Sequence, residues 1–145
     1  MIINDLIGLK NVLKDIKLGK ISNDVLRKYL RLSLELNKYN DEWENKRKNL
    51  YKETADTKGY DVNSMTDEQH NDVLGVIIPI FNEYLATPVS GIETKIFTWD
   101  ELCNAILNVE QEISNESEDG SKTTSTKLTT EQQTFLIEML CNEEL

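Results

Sequence analysis

Read at alternating steps of four and three, residues 22–53 give Val25, Tyr29, Leu32, Leu36, Tyr39, Trp43, Lys46 and Leu50. Seven of these eight positions are apolar, and neither Gly nor Pro interrupts the run. Such a stripe stays on one face of an α-helix and suits a seam against another helix. At ~1.5 Å per residue the helix would reach roughly 45 Å. That is long for a chain of 145 residues, so shorter pieces are expected to lean on it. Upstream, Ile2, Leu6, Leu9, Leu13 and Ile16 repeat at the same spacing and predict a helix over residues 4–17, with Gly8 costing up to ~1 kcal/mol against Ala. Leu18-Gly19-Lys20 reads as a stop in which Gly19 takes the left-handed C-cap conformation. Ser22, followed by Asn23 and Asp24, reads as the N-cap of the long helix. So short a connection predicts an antiparallel αα-hairpin over residues 4–54.

Beyond a fraying end at residues 52–55 and a loop at 56–61, Thr66 with Gln69 has capping-box spacing and opens another helix. Val73, Leu74, Ile77, Ile80, Phe81, Tyr84 and Leu85 supply its apolar face. Pro79 inside that run predicts a kink or break near Ile78. The alternative is a short strand at Val76-Ile77-Ile78. From Val89 to Phe97 the period changes to two, with Ile92, Thr94 and Ile96 opposite Glu93 and Lys95, which predicts a strand or a hairpin turning at Ser90-Gly91. Thr98 with Glu101 caps a helix whose expected buried face is Trp99, Leu102, Cys103, Ile106 and Leu107, with Val109 and Ile113 as further candidates. Residues 114–127 contain no apolar side chain and read as a solvated, flexible acidic and Ser/Thr linker. A last helix opens near Thr130, with Phe135, Leu136, Met139 and Leu140 on one face, too short to hold itself in water without docking on its own hairpin or on a neighbouring subunit.

These elements add up to a mainly α chain: the N-terminal hairpin, further short helices and one short strand or hairpin. The expected organisation is a helical domain over 1–113, the linker at 114–127 and a docking helix within 128–145.

Charge changes this picture in one respect. Residues 1–50 hold eleven Lys/Arg against seven Asp/Glu, whereas residues 51–145 hold five against nineteen. A basic hairpin joined to an acidic remainder implies internal complementarity or two differently charged partner surfaces. Lys10, Lys14, Lys17, Lys20, Arg27, Lys28 and Arg31 cluster at the hairpin's closed end. The overall charge of −10 opposes nucleic-acid binding, so a solvated face or a dock for an acidic protein surface is expected there. No run of about 18 apolar residues predicts a membrane span. The start lacks the basic and apolar regions of a signal peptide, which makes the cytoplasm the expected compartment.

The search for catalytic chemistry is nearly empty. The single histidine, His70, has no Ser, Cys or Asp at a spacing that builds a triad, and is expected to be a solvated surface residue. Cys103 and Cys141 cannot make a metal site alone and read as small apolar residues. There is no phosphate-binding glycine pattern. Asp61-Val62-Asn63 opens like a calcium loop but lacks the glycine and the closing glutamate. No metal, cofactor or small-molecule substrate is expected.

The order of parts carries a resemblance. A Lys/Arg-bearing helical hairpin, a Gly loop, a helix with Phe81-Asn82-Glu83-Tyr84-Leu85, a short strand, a Leu-bearing helix and the C-terminal stretch 128–138 follow in turn. This order is similar to that of small bacteriophage proteins of unknown function encoded with structural or assembly genes, and it departs from them in the 114–127 insert. The resemblance implies a non-enzymatic virion or assembly role, in the host cytoplasm or the particle, with proteins or further copies of itself as partners. Expected partner-binding residues are Lys10, Lys14, Lys17, Arg27 and Arg31 on the hairpin and Phe135, Leu136, Met139 and Leu140 on the tail. The alternative reading of the acidic remainder is a phosphate-mimicking inhibitor of a host nucleic-acid enzyme, of the anti-restriction or anti-CRISPR type.

Overall fold

The computed structural model describes residues 1–116, 120, 122–125 and 128–144, the side chains of 113–116 and 122–125 excepted. The chain is mainly α, with an N-terminal helix pair. In order come α1 (Ile3–Leu13), α2 (Asn23–Thr57), a 3-10 turn (Val62–Ser64), α3 (Asp67–Leu85) and α4 (Trp99–Leu102), which runs into a π turn (Cys103–Leu107). They are followed by β1 (Ile113–Glu116), β2 (Lys122–Ser125) and α5 (Thr130–Leu140). The chain forms two compact units: Met1–Ile7 with Asn37–Ser90, and Gly8–Leu36 with Gly91–Leu145. This partition differs from the segments expected from sequence, since residues 8–36 and the C-terminal helix share a unit.

In the first unit, α2 ends in a Schellman motif. Tyr60 N–H donates to the Ala55 carbonyl at 2.9 Å, Gly59 N–H donates to Asp56, and Gly59 takes a φ of 77° that only glycine adopts without strain. The helix therefore persists to Thr57, past the fraying expected at 52–55. Thr66 and Gln69 close a full capping box at the start of α3. The expected kink or break at Pro79 is absent, and α3 is one helix through it. A proline there forfeits one backbone hydrogen bond, a cost of ~3 kcal/mol. Val73 and Ile77, one turn apart and both buried with Ala55, hold the helix to its core just before the proline, and half-buried Phe81 does so just after it. At the edge of this unit, Ile2 bridges Pro88. Ile3 N–H donates to Thr87 and Val89 N–H donates to Met1, so the proline falls where no donor is required.

In the second unit, α1 stops at Leu13, four residues short of the expected end, and Gly19 is not its left-handed cap. Gly19 serves a different purpose: a Cβ there would lie 2.3 Å from the Asn104 carbonyl oxygen and 2.6 Å from Val109. Its N–H donates to the Ala105 carbonyl at 2.8 Å. Beside it, Gln111 is 1% exposed and clamps the same stretch of chain. Its Oε1 accepts from Lys17 N–H at 2.8 Å, and its Nε2 donates to the Lys17 carbonyl at 2.8 Å. The π turn makes this contact possible, since its wider register presents Ala105 and Ile106 carbonyls to partners outside the helix. Trp99, in the α4 turn before it, is 36% exposed and Ala105 is fully buried, against the expected buried face.

No strand forms at residues 89–97. Ile96 N–H donates to the Thr94 carbonyl, a three-residue turn that spoils ladder geometry. The period-two pattern still sorts the side chains, with Thr94 and Ile96 buried and Glu93 and Lys95 exposed. Phe97 instead bridges Cys141: its N–H donates to Leu140 at 3.1 Å and its carbonyl accepts from Asn142 at 2.8 Å. These bonds dock α5 on its own chain, and Leu136 and Leu140 are fully buried there. Within the 114–127 stretch expected to be a linker, β1 and β2 pair antiparallel with Ile113 opposite Ser125 and Glu116 opposite Lys122. Residues 117–119, 121, 126 and 127 of that expectation lie outside the described residues.

Candidate functional site

The long helix buries one face and bares another. Val25, Tyr29, Leu32 and Leu36 are buried, as the stripe predicts. Leu30 and Leu34 are on the outside, 54% and 71% exposed, and Leu26 precedes them by one further turn. Positions i, i+4 and i+8 line up along a helix, so the three leucines form a continuous apolar strip. Arg27, Arg31 and Asn23 flank it and, with the leucines, line a groove of about 510 Å³. Single exposed leucines are ordinary on a protein surface; two exposed and one half-buried in register beside a row of two arginines are a patch.

The expected partner-binding residues divide accordingly. Arg27 and Arg31 are exposed and sit together in the groove, one turn apart. Lys14 and Lys17 are exposed and Lys10 half-buried, but none of the three lines it. On α5, Leu136 and Leu140 are fully buried in their own unit, and Phe135 and Met139 are half-buried. The three leucines lie outside the four-three stripe that marks the buried face of α2. Their own four-residue spacing was the available signal.

A second concavity lies in the first unit, where α2 faces α3. Leu74, Ile77 and Phe81 provide an apolar floor, and Arg47, Lys48 and Lys52 provide the rim of a cavity of about 650 Å³. His70 lines it and is exposed, as expected of a surface histidine; its Nδ1 is 2.6 Å from the Tyr51 hydroxyl, with ring centroids 5.6 Å apart. Arg47 pairs with Glu44, whose carboxyl the guanidinium holds below the usual range. Among the described residues, Lys48 and Lys52 have no ion-pair partner. Just beyond, Trp43 meets Phe81 edge-on at 5.0 Å and stacks on Tyr84 at 5.8 Å. This places Trp43 against α3, whereas its position in the stripe suggests a seat over the start of α1.

Four acids of residues 51–145 are engaged by neighbours in their own fold. Asp61 accepts from Asn63 and Ser64, Glu101 from Thr98 N–H, Glu143 from Trp99 N–H, and Asp72 from Tyr60 while pairing with Lys58. Among the described residues no group of His, Cys, Asp and Glu has the geometry to hold a metal ion. Cys103 and Cys141 are free thiols, and burial raises the Cys103 thiol. No described helix is long and apolar enough to cross a membrane. In comparisons with known proteins, no family model, no curated protein and no solved structure matches the chain.

Proposed function

We propose that this chain is a non-enzymatic interaction protein that acts through helical protein–protein contacts made by the outer face of α2. The observation that carries the reading is the strip of half-buried Leu26 and exposed Leu30 and Leu34, running alongside Arg27 and Arg31. An amphipathic partner helix fits such a strip by laying its own apolar face along it. The two arginines select a partner with carboxylates at its flanks, and Arg offers these a bidentate fork. The likeness of its order of parts to small bacteriophage assembly-associated proteins supplies the proposed setting, a structural or assembly component.

Leu30→Glu with Leu34→Glu tests the reading. Both side chains are exposed, so the variant is expected to melt like the parent. Sedimentation velocity and co-purification with particles are then expected to show lost association. Equal association by the double variant, or a parent that is strictly monomeric and absent from particles, rejects the proposal.

A further inference from the structure

We propose that the cavity between α2 and α3 in the first unit is a binding site for a small amphiphilic anion: an apolar body carrying one carboxylate or sulfonate head. At about 650 Å³ the cavity lies within the range of small-molecule sites. Its floor is apolar, with Ile77 fully buried and Leu74 and Phe81 half-buried beneath it. Its rim is cationic in a protein whose net charge is −10. Glu44 neutralises Arg47, which leaves Lys48 and Lys52, one helical turn apart, as the charges facing an entering ligand. A neutral apolar ligand would leave those ammonium groups unused, and a purely polar anion would leave the floor wet. The Tyr51–His70 pair adds a hydroxyl and an imidazole that can share hydrogen bonds with an acidic head.

The probe is 1-anilinonaphthalene-8-sulfonate, which combines an aromatic body with a sulfonate. The full chain is expected to bind it at one saturable site, with rising salt weakening the affinity. N-phenyl-1-naphthylamine, the same body without the sulfonate, is expected to bind at least tenfold more weakly. Decanoate is expected to displace the sulfonate probe. Lys48→Glu with Lys52→Glu is expected to weaken binding at least tenfold while the thermal melt stays unchanged, and Lys38→Glu, elsewhere on α2, is expected to leave binding as it is. Equal affinity for the two naphthyl probes, indifference to the double variant, failure of decanoate to compete, or many weak sites would overturn the proposal. Salt dependence in the parent protein keeps the test decisive if the double variant fails to fold.

Discussion

The two units reach stability by different routes. In the second unit, Phe97, Leu102, Ala105, Ile106, Leu136 and Leu140 are wholly removed from solvent. Backbone bonds between residues distant in sequence, such as Gly19 to Ala105 and Phe97 to Leu140, knit that core together. In the first unit, Ala55, Val73 and Ile77 form a small buried cluster, ringed by half-buried Leu50, Tyr51, Tyr60, Met65, Leu74 and Phe81, and Ile3, Leu6 and Ile7 of its N-terminal segment are buried as well. Dense packing is intolerant because every added atom meets a neighbour. A thin core with an aromatic fringe tolerates more and leaves concave apolar surface open. The cavity proposed to take a ligand belongs to the thin unit.

Two glycines sharpen this contrast, and the larger effect comes first. Gly19→Ala would drive a methyl group to 2.3 Å from the Asn104 carbonyl oxygen, which belongs to backbone that cannot swing aside. Overpacking of this kind costs about 3 kcal/mol. The shift also endangers the Gly19–Ala105 hydrogen bond and the neighbouring Gln111 clamp. Urea denaturation is expected to show the loss as a lower midpoint. A parent-like midpoint would mean that the second unit gives way as readily as the first.

Trp43→Ala probes the fringe of the first unit. The indole is half-buried, with Phe81 and Tyr84 against it and Arg47 over its ring at 5.5 Å. A fully buried aromatic costs 3–5 kcal/mol on truncation, so a half-buried one with two aromatic partners should cost about 2 kcal/mol. The same denaturation experiment reads it. A loss as large as that at Gly19 would erase the distinction drawn between the units.

Local chemistry was legible in the sequence, and long-range chemistry was not. Thr66 and Thr98 are legible as caps because a hydroxyl with a Gln or Glu three residues on is a complete local device, and Ser22 because a hydroxyl alone can accept from the N–H three residues on, here Val25. The Val25–Leu36 stripe was found because burial follows helical period. Lys46, the one polar member of that stripe, reaches over the Tyr84 ring at 4.9 Å, a contact no spacing announces. Gly19 was misread as a left-handed cap because its constraint comes from Asn104 and Val109, some ninety residues away. The same holds for Gln111, whose partner is backbone at Lys17. Period two at 92–96 foretold the buried face correctly, but no neighbouring strand was there to make a sheet. Of the candidate surface, Arg27 and Arg31 were read from charge and the leucines beside them were missed. His70 was set aside because Tyr51 is nineteen positions away in sequence.

Gly75→Ala is the counterpart of Gly19→Ala and should have the opposite sign. Gly75 lies within α3, and a Cβ there meets nothing within 4 Å. Glycine in a helix interior costs roughly 0.5–1 kcal/mol relative to alanine, so the substitution is expected to stabilise by about that amount. The thermal midpoint should rise. A fall would show that α3 needs the freedom of Gly75 to accommodate Pro79, whose ring crowds the carbonyl four residues before it.

The smallest expected effect is electrostatic and lies at the solvent edge of the first unit. Tyr60 donates its hydroxyl to Asp72 Oδ2 at 2.6 Å, and Lys58 Nζ lies 3.0 Å from the same oxygen. The Tyr60 hydrogen bond first and Lys58 second hold the Asp72 carboxyl below its usual value, and the same bond pushes the Tyr60 hydroxyl up. A carboxyl lowered in the folded state contributes stability that is present above its unfolded value, near pH 4, and is lost as pH falls through the folded value. A raised tyrosine contributes stability that is present below about pH 10 and is lost as pH rises through its folded value. Between those limits the pair is intact. Tyr60→Phe removes the largest single cause acting on Asp72 and leaves Lys58 in place. Carbon-detected NMR titration of the Asp72 carboxyl is therefore expected to show its midpoint rising toward the ordinary range without reaching it. Lys58→Met should move the midpoint the same way. An unmoved midpoint in Tyr60→Phe would mean that the hydroxyl does not hold the Asp72 carboxylate and would leave Lys58 as the group that holds this edge in acid.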